Sequence, residues 1–294
     1  MHKIRNSDII FILNPNSGKR QVSNIIKSIK RTDENLFYVI TKDVAEVKDV
    51  FDKHIEHFTV FVIVGGDGSV NEAVKYLVNR PDKYLSVYPN GSGNGFAKEL
   101  GFKGDLDSLL RDIRSGDAMD LDVIKINDSY SINASGVGLD SYVAHAFSQT
   151  KNRGLINYIL LSIKSLFAFK PFKAAITSDD FKVAGIYQMI TIANTRQFGN
   201  NAFIAPLARP DDGIIDIVLV KPIPFYLYPY FVVLLFLGQL NKSRHIDFIK
   251  TGKPITIESE YNHFHVDGEP VKYDGNVNVS IKQDCIKVIK TASL

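Results

Sequence analysis

The chain has 294 residues, 45% of them hydrophobic and 23% charged, with a formal net charge of +3. This is the balance of an ordinary globular protein of one large or two average domains, and its mild basicity is too weak to argue for a nucleic-acid partner while suiting an anionic small ligand or membrane surface. The single cysteine, Cys285, excludes an internal disulfide, is compatible with a reducing compartment, and reads as a small apolar residue in the strand-like QDCIKVIK.

In chain order, DIIFILN (8–14) predicts a strand, RQVSNIIKSIKR (20–31) a helix, LFYVIT (36–41) a strand and AEVKDVFDKHIEH (45–57) a helix. TVFVIV (59–64) is again strand-like, VNEAVKYLVNR (70–80) helical and YLSVYP (84–89) strand-like; the helical FAKELG and LDSLLRDIRSG (106–116) follow. Apolar runs alternating with helical periods predict βαβ units and a mainly parallel sheet. After Gly116 the character changes. AMDLDVIKIN (118–127), SYSINASGVG (129–138), FKAAIT (172–177), IYQMITIAN (186–194), GIIDIVLV (213–220), KPITIES (253–259), FHVDG (264–268), VNVSIK (277–282) and CIKVIK (285–290) predict strands, interrupted by helical patches near 155–169 and 225–240. The expected fold is α/β plus β, with an N-terminal α/β nucleotide-binding domain over 1–120 and a C-terminal β-sandwich domain with a few helices over 121–294.

The N-terminal stretch has no long apolar core, so no signal peptide is predicted. The most apolar segment, FYLYPYFVVLLFLGQL (225–240), falls short of the roughly 20 residues that span a bilayer. It predicts a buried helix; the alternative is a helix beside a lipid cleft or at a membrane interface.

Three glycine-bearing loops follow strands of the first domain: NPNSGK (14–19), GGDGS (65–69) and NGSGNG (90–95). In an open α/β sheet such loops gather at the carboxyl ends of the strands, where glycine lets the backbone approach an oxyanion and the following helix offers free N–H groups. Together they suggest a polyphosphate site. Asp67 is the odd member. A carboxylate repels phosphate unless a divalent cation or water intervenes, and Mg²⁺ commonly bridges the two; alternatively Asp67 caps its helix. Neither a Walker A sequence, a G-x-G-x-x-G fingerprint nor the protein-kinase motif set is present.

The same motifs, with GGDGSVNE, PNGSGNGFAKELG, MDLDVIKIN, INASGVGLDSYV, IANTRQFGNNAFIAPLARPDDGIIDIVLV and HVDGEP, appear in an order that resembles the diacylglycerol kinase catalytic-domain family, which includes bacterial lipid kinases and the sphingosine and ceramide kinases. Gly95 stands where many members carry an acidic residue, and Ser69 and Ser92 where threonine is commoner. The resemblance implies ATP and Mg²⁺ as cofactors and a lipid hydroxyl as acceptor. By position it implies nucleotide contacts from Asn14, Pro15, Asn16, Ser17, Gly18, Thr41, Gly66, Asp67, Gly68, Ser69, Asn71, Glu72 and Ser92. Asp212, with backbone carbonyls near Arg209 and Ile214, matches a magnesium position, and Asp67 and Asp120 match carboxylates of the catalytic metal network.

Asp267 and Glu269 match the acids of a DGE motif, one of them the general base. Glu269 is favoured as base and Asp267 as its orienting or metal-linked partner, although Asp-Gly is also a hairpin signal. Asp140 would orient the substrate's polar head or cap a helix; the Asp211–Asp212–Gly213 stretch is metal-binding or a solvated turn. Lys19 and Arg20 face phosphate or solvent, and the HFH pair at 263–265 reads as structural. The expected setting is cytoplasmic, with transient peripheral contact at the inner face of a membrane, no nucleic acid and a homodimer left open. A NAD kinase-like enzyme, sharing the GGDG loop, and a catalytically silent lipid or nucleotide binder are the rival readings.

Overall fold

The computed structural model describes residues 4–15, 22–33, 35–150 and 155–292, and the chain forms two compact units, Met1–Leu121 with Asp284–Leu294, and Asp122–Gln283. Asn16, Ser17, Gly18, Lys19 and Arg20 lie outside the described residues.

In the first unit the order is β1 (Ile9–Leu13), α1 (Val22–Thr32), β2 (Phe37–Ile40), α2 (Val44–His54), β3 (Val60–Gly65), α3 (Asp67–Leu77), β4 (Tyr84–Pro89), α4 (Gly95–Glu99) and α5 (Leu106–Ser115). β1 pairs in parallel with β2 and β3, and β3 with β4. β1 and β3 are buried along their whole length, which is why they read as continuous apolar runs without alternation. Helix starts follow their capping chemistry: the Asp43 side chain accepts from the Glu46 N–H at α2, and Asp105 from the Ser108 N–H at α5. Gly116, with φ 76, ends α5 in the left-handed conformation. Phe51 of α2 stacks on Phe61 of β3 and on Tyr76 of α3, fixing both helices to the sheet.

The second unit contains most of β5 (Ala118–Ile126), then β6 (Ser129–Ser131), β7 (Ala134–Gly138), α6 (Leu139–Ser148), α7 (Leu155–Ala168), β8 (Phe172–Ser178), β9 (Lys182–Tyr187), β10 (Met189–Ala193), β11 (Ile215–Val220), α8 (Tyr228–Leu237), β12 (Ile246–Thr251), β13 (Ile255–Ser259), β14 (His263–Val266), β15 (Glu269–Lys272) and the start of β16 (Val277–Ile289). One antiparallel sheet has the order β12-β11-β10-β7-β14-β15. The other set pairs β9 with β8, β8 with β13 and β13 with β16. A single core joins them, with Ile176, Ile257 and Val279 from one and Ile190, Val218 and Phe264 from the other, as in a sandwich. The last residues of β16 pair in parallel with β4, Lys287 opposite Tyr84.

Several sequence expectations change. The strand read over 129–138 breaks into β6 and β7, because the N–H groups of Ile132 and Asn133 are given to the Asp267 carboxylate. The strands read over 277–282 and 285–290 are one, since Asp284 takes φ 49 without ending β16. Helix α6 enters the sequence reading only as the helix that Asp140 would cap, and β9, β12 and β15 are not in it. The segment over 225–240 is helical but not buried all round: Phe231 and Leu234 face the core, while Tyr230, Val233, Phe236 and Leu237 are exposed.

Candidate active site

In the first unit, β3 runs straight into α3, with Gly66 extended at the junction and Asp67 the first helical residue. The loop after β4 folds beside it, and the Asn90 N–H donates to the Gly65 carbonyl at 2.8 Å. The two backbones come so close that a Cβ on Gly91 would sit 2.5 Å from Gly66 Cα and 2.7 Å from Asn94 Oδ1. Contact between the loops therefore already demands glycine at 91 and is tight at 66, where a Cβ would sit 3.1 Å from Gly91 Cα, apart from any room left for phosphate. Asn94, at φ 51, ties the turn by accepting from the Gly91 N–H and donating to the Gly91 carbonyl, both at 2.8 Å.

Asp67 completes the clamp. Its Oδ2 accepts from the Gly95 N–H at 3.0 Å and its Oδ1 from the Phe96 N–H at 3.1 Å. The carboxylate thus caps α4, the helix of the neighbouring loop, and not its own. Gly91→Ala is expected to force the two loops apart, costing about 1–3 kcal/mol of stability and weakening nucleotide binding with it. A thermal midpoint and an ATP titration equal to those of the native chain would refute that reading.

The β1 and β2 ends join the same edge. Asn14 Nδ2 donates to Ser69 Oγ at 3.0 Å. Thr41 is buried, and its N–H and hydroxyl both donate to the Leu13 carbonyl, at 2.9 and 3.3 Å. Pro15 and Ser92 are exposed, and Gly68 lies in the first turn of α3. Asn71 and Glu72 are buried within α3, where the Glu72 carboxylate takes the Lys75 ammonium and the Tyr76 hydroxyl. Asp120 is exposed on β5 and paired with Lys287 Nζ at 2.9 Å; the hydrogen bond that Lys287 donates to this carboxylate holds the ammonium's pKa above its usual range.

In the second unit the buried carboxylate of that strand is Asp122, which was not singled out in the sequence. Its Oδ2 accepts from the Gly213 N–H at 2.6 Å, and its N–H donates to the Pro210 carbonyl at 2.7 Å. Asp122 therefore holds the 210–213 turn on which Asp212 sits. The signal was available in MDLDVIKIN, where two carboxylates at i and i+2 compete for one role. Asp212 is exposed, with Oδ1 accepting from the Ile214 N–H at 3.1 Å, while Arg209 turns to Asp211 at 3.2 Å. Among the described residues no three His, Cys, Asp or Glu side chains gather as a metal cage. The exposed Asp212 carboxylate is nonetheless a hard oxygen donor of the kind that Mg²⁺ takes while keeping several of its waters.

Asp267 and Glu269 part company. Asp267, at φ 48, and Gly268, at φ 89, form a two-residue turn between β14 and β15, so Val266 pairs with Glu269 across it. The Asp267 side chain turns inward and accepts from Ser131 Oγ at 2.6 Å, Ile132 N–H at 2.9 Å and Asn133 N–H at 3.1 Å. Glu269 starts β15 exposed to solvent. The alternation expected of a regular strand would have put both acids on one face, and the turn removes it.

Asp140 lies in the first turn of α6, buried, and accepts from Thr191 Oγ1 at 3.0 Å. His265 Nε2 is 3.2 Å from Asp140 Oδ2, at an angle that leaves the nitrogen without a directed hydrogen bond. Gly136 makes room for this carboxylate, since a Cβ there would lie 2.5 Å from Asp140 Oδ2 and 2.4 Å from the Ile190 carbonyl. Asn133, Asp140, Phe198, His265 and Asp267 line a small cavity of about 50 Å³. His265, read as structural, thus belongs to the polar lining beside Asp140.

Two family descriptions match the chain: "Diacylglycerol kinase catalytic domain" over residues 8–126 and "YegS C-terminal NAD kinase beta sandwich-like domain" over 133–290. Among curated proteins, a "Probable lipid kinase YegS-like" of Shewanella frigidimarina is 35% identical over 54% of each chain. A "Diacylglycerol kinase" of Bacillus subtilis is 25% identical over 88% of each. Of solved structures, a putative diacylglycerol kinase of Bacillus anthracis superposes with a TM-score of 0.79 over 98% of this chain and 99% of its own, at 21% identity, a likeness of fold.

Proposed function

Because the chain belongs to the family that joins a diacylglycerol kinase catalytic domain to a YegS-type C-terminal domain, we propose that it transfers the γ-phosphate of ATP to a hydroxyl group of a membrane lipid. The observation that carries this reading is the clamp of Asp67 on α4, which locks two glycine loops together at the carboxyl ends of β3 and β4, where ligands bind in an open α/β sheet. The names of the relatives, lipid kinase and diacylglycerol kinase, support the lipid acceptor.

Phosphoryl transfer requires the γ-phosphate to be held in line, its charge neutralised and the hydroxyl proton removed. The loops after β3 and β4 hold the phosphates, with the Asn14 amide and Ser69 hydroxyl beside them. Asp212 and the carbonyls of Arg209 and Ile214 would hold Mg²⁺, which when bound supplies positive charge. Glu269 accepts the proton of the lipid hydroxyl. Asp267 cannot do so well, because three donors already occupy its oxygens; it fixes the turn that presents Glu269. Asp140, with Thr191 and His265 against it, orients the polar head of the acceptor.

The test is transfer of label from γ-labelled ATP with Mg²⁺ to diacylglycerol, a sphingoid base and monoacylglycerol in mixed micelles, with NAD in a parallel tube. A labelled lipid is expected. Label in NADP alone would replace the lipid reading by a NAD kinase, and label in no acceptor would leave a silent binder.

A further inference from the structure

Helix α8 and the turn before it expose an apolar face. Phe225 is 69% exposed, Val233 53% and Leu237 61%, and Tyr226, Tyr230 and Phe236 are exposed with them. The spacing 226, 230, 233 and 237 places them along one side of the helix, opposite Phe231 and Leu234, which enter the core. A surface helix normally carries polar residues there, and a contiguous exposed apolar stripe marks an interaction site. Phe167 of α7 is also exposed, and its ring meets the partly buried Tyr228 edge-on at 5.4 Å.

Basic groups border this face. Lys221 is paired with Asp247 at 2.7 Å, while Lys242 and Arg244 carry basic charge in a stretch, Ile217 to Ile246, that has no carboxylate. Beside α8 opens a cavity of about 320 Å³, lined by Tyr230 and Phe231 on its apolar side and by Lys242, Ser243, Arg244 and His245 on its polar side. His245 Nε2 is buried there with no hydrogen-bond partner in the structure. Ammonium, guanidinium, imidazole and hydroxyl donors around an apolar wall suit a phosphodiester carried on acyl chains.

We infer that the α8 face docks this protein onto an anionic phospholipid membrane, with the cavity formed by Tyr230, Lys242, Arg244 and His245 taking a lipid phosphate headgroup. The helix has 10 residues, about 15 Å of rise, half of a ~30 Å hydrocarbon core, and among the described residues no helix is long and apolar enough to cross a membrane. It lies in the interface, where tyrosines and phenylalanines settle at headgroup level and basic groups meet the negative surface. The inference deepens the lipid-kinase reading and rests on it for the acceptor's location, but docking is read without turnover.

The experiment is flotation of the full chain with vesicles of phosphatidylcholine alone or mixed with phosphatidylglycerol. The native chain is expected to float with the mixed vesicles. Val233→Asp/Leu237→Asp should lower that binding more than about tenfold, and Lys242→Gln/Arg244→Gln by roughly thirtyfold, each with an unchanged thermal midpoint. The first double variant should keep its rate on a short-chain lipid dissolved as monomers and lose rate on vesicle-embedded lipid. Equal flotation of native and variant chains would overturn the docking surface. So would a native dimer in sedimentation that Val233→Asp/Leu237→Asp splits while no vesicle binding occurs, which would give the face to a second copy. Flotation lost in both variants while no lipid is ever phosphorylated would keep the surface and remove the kinase reading instead.

Discussion

Glu269→Gln is expected to lower turnover by about 10²–10⁴-fold while ATP affinity and the thermal midpoint stay where they are. Glu269 is exposed at the start of β15, so its loss removes no buried contact. Asp267 predicts the opposite behaviour. Its carboxylate serves Ser131, Ile132 and Asn133 from within the fold, and Asp267→Ala would strand three buried donors at about 1–3 kcal/mol each. That variant should unfold early or fail to accumulate. Asp267→Asn keeps one acceptor and tolerates the left-handed φ of 48, so it should fold and retain part of the rate. Rate and denaturation curves on these variants separate the two acids. If Glu269→Gln loses ATP binding and turnover together, Glu269 is a binding residue and the base lies elsewhere.

Asp67→Ala should abolish turnover and also lower stability, by about 2–3 kcal/mol, since it removes two charge-assisted hydrogen bonds to the N-terminus of α4. Near 2–4 °C per kcal/mol, the midpoint drops by roughly 5–10 °C. Of the two readings the sequence leaves open for Asp67, metal contact alone would leave stability almost untouched, and the clamp on α4 removes that outcome. Asp67→Asn discriminates further. One amide oxygen still accepts from Gly95 or Phe96, so most of the stability should return while the negative charge does not. Full activity in Asp67→Asn would make Asp67 a purely structural clamp. Stability that is normal in Asp67→Ala would mean that the clamp contributes nothing.

The strands of the first unit were legible because each is a short run buried on both faces, and the glycine loops because each interrupts a strand–helix junction. The second unit was legible as strand-rich from period-two patterns such as that of β8. Its missed elements have identifiable causes. Helix α6 follows a strand without a polar break, and its start depends on Gly138 at φ 111, a conformation that composition does not announce.

The role of a carboxylate was harder to read, because it depends on what lies across the fold. DLD offers Asp120 and Asp122 as equals; only packing exposes the first to Lys287 and buries the second against Gly213. HVDGEP offers two acids, and only the turn at Asp267 and Gly268 sends one inward and the other to solvent. His265 looked inert until β14 was placed beside α6 and Asp140.

By itself, then, the sequence determined the two-part architecture, the glycine loops and the set of acids, since these follow from local periodicity and backbone freedom. Tertiary structure decided which acid clamps, which is buried and which stays free, and that the apolar α8 turns half of itself outward. Those outcomes depend on donors and packing partners 28 to 136 positions away, as in Asp67 with Gly95 and Asp267 with Ser131, beyond the reach of any local pattern.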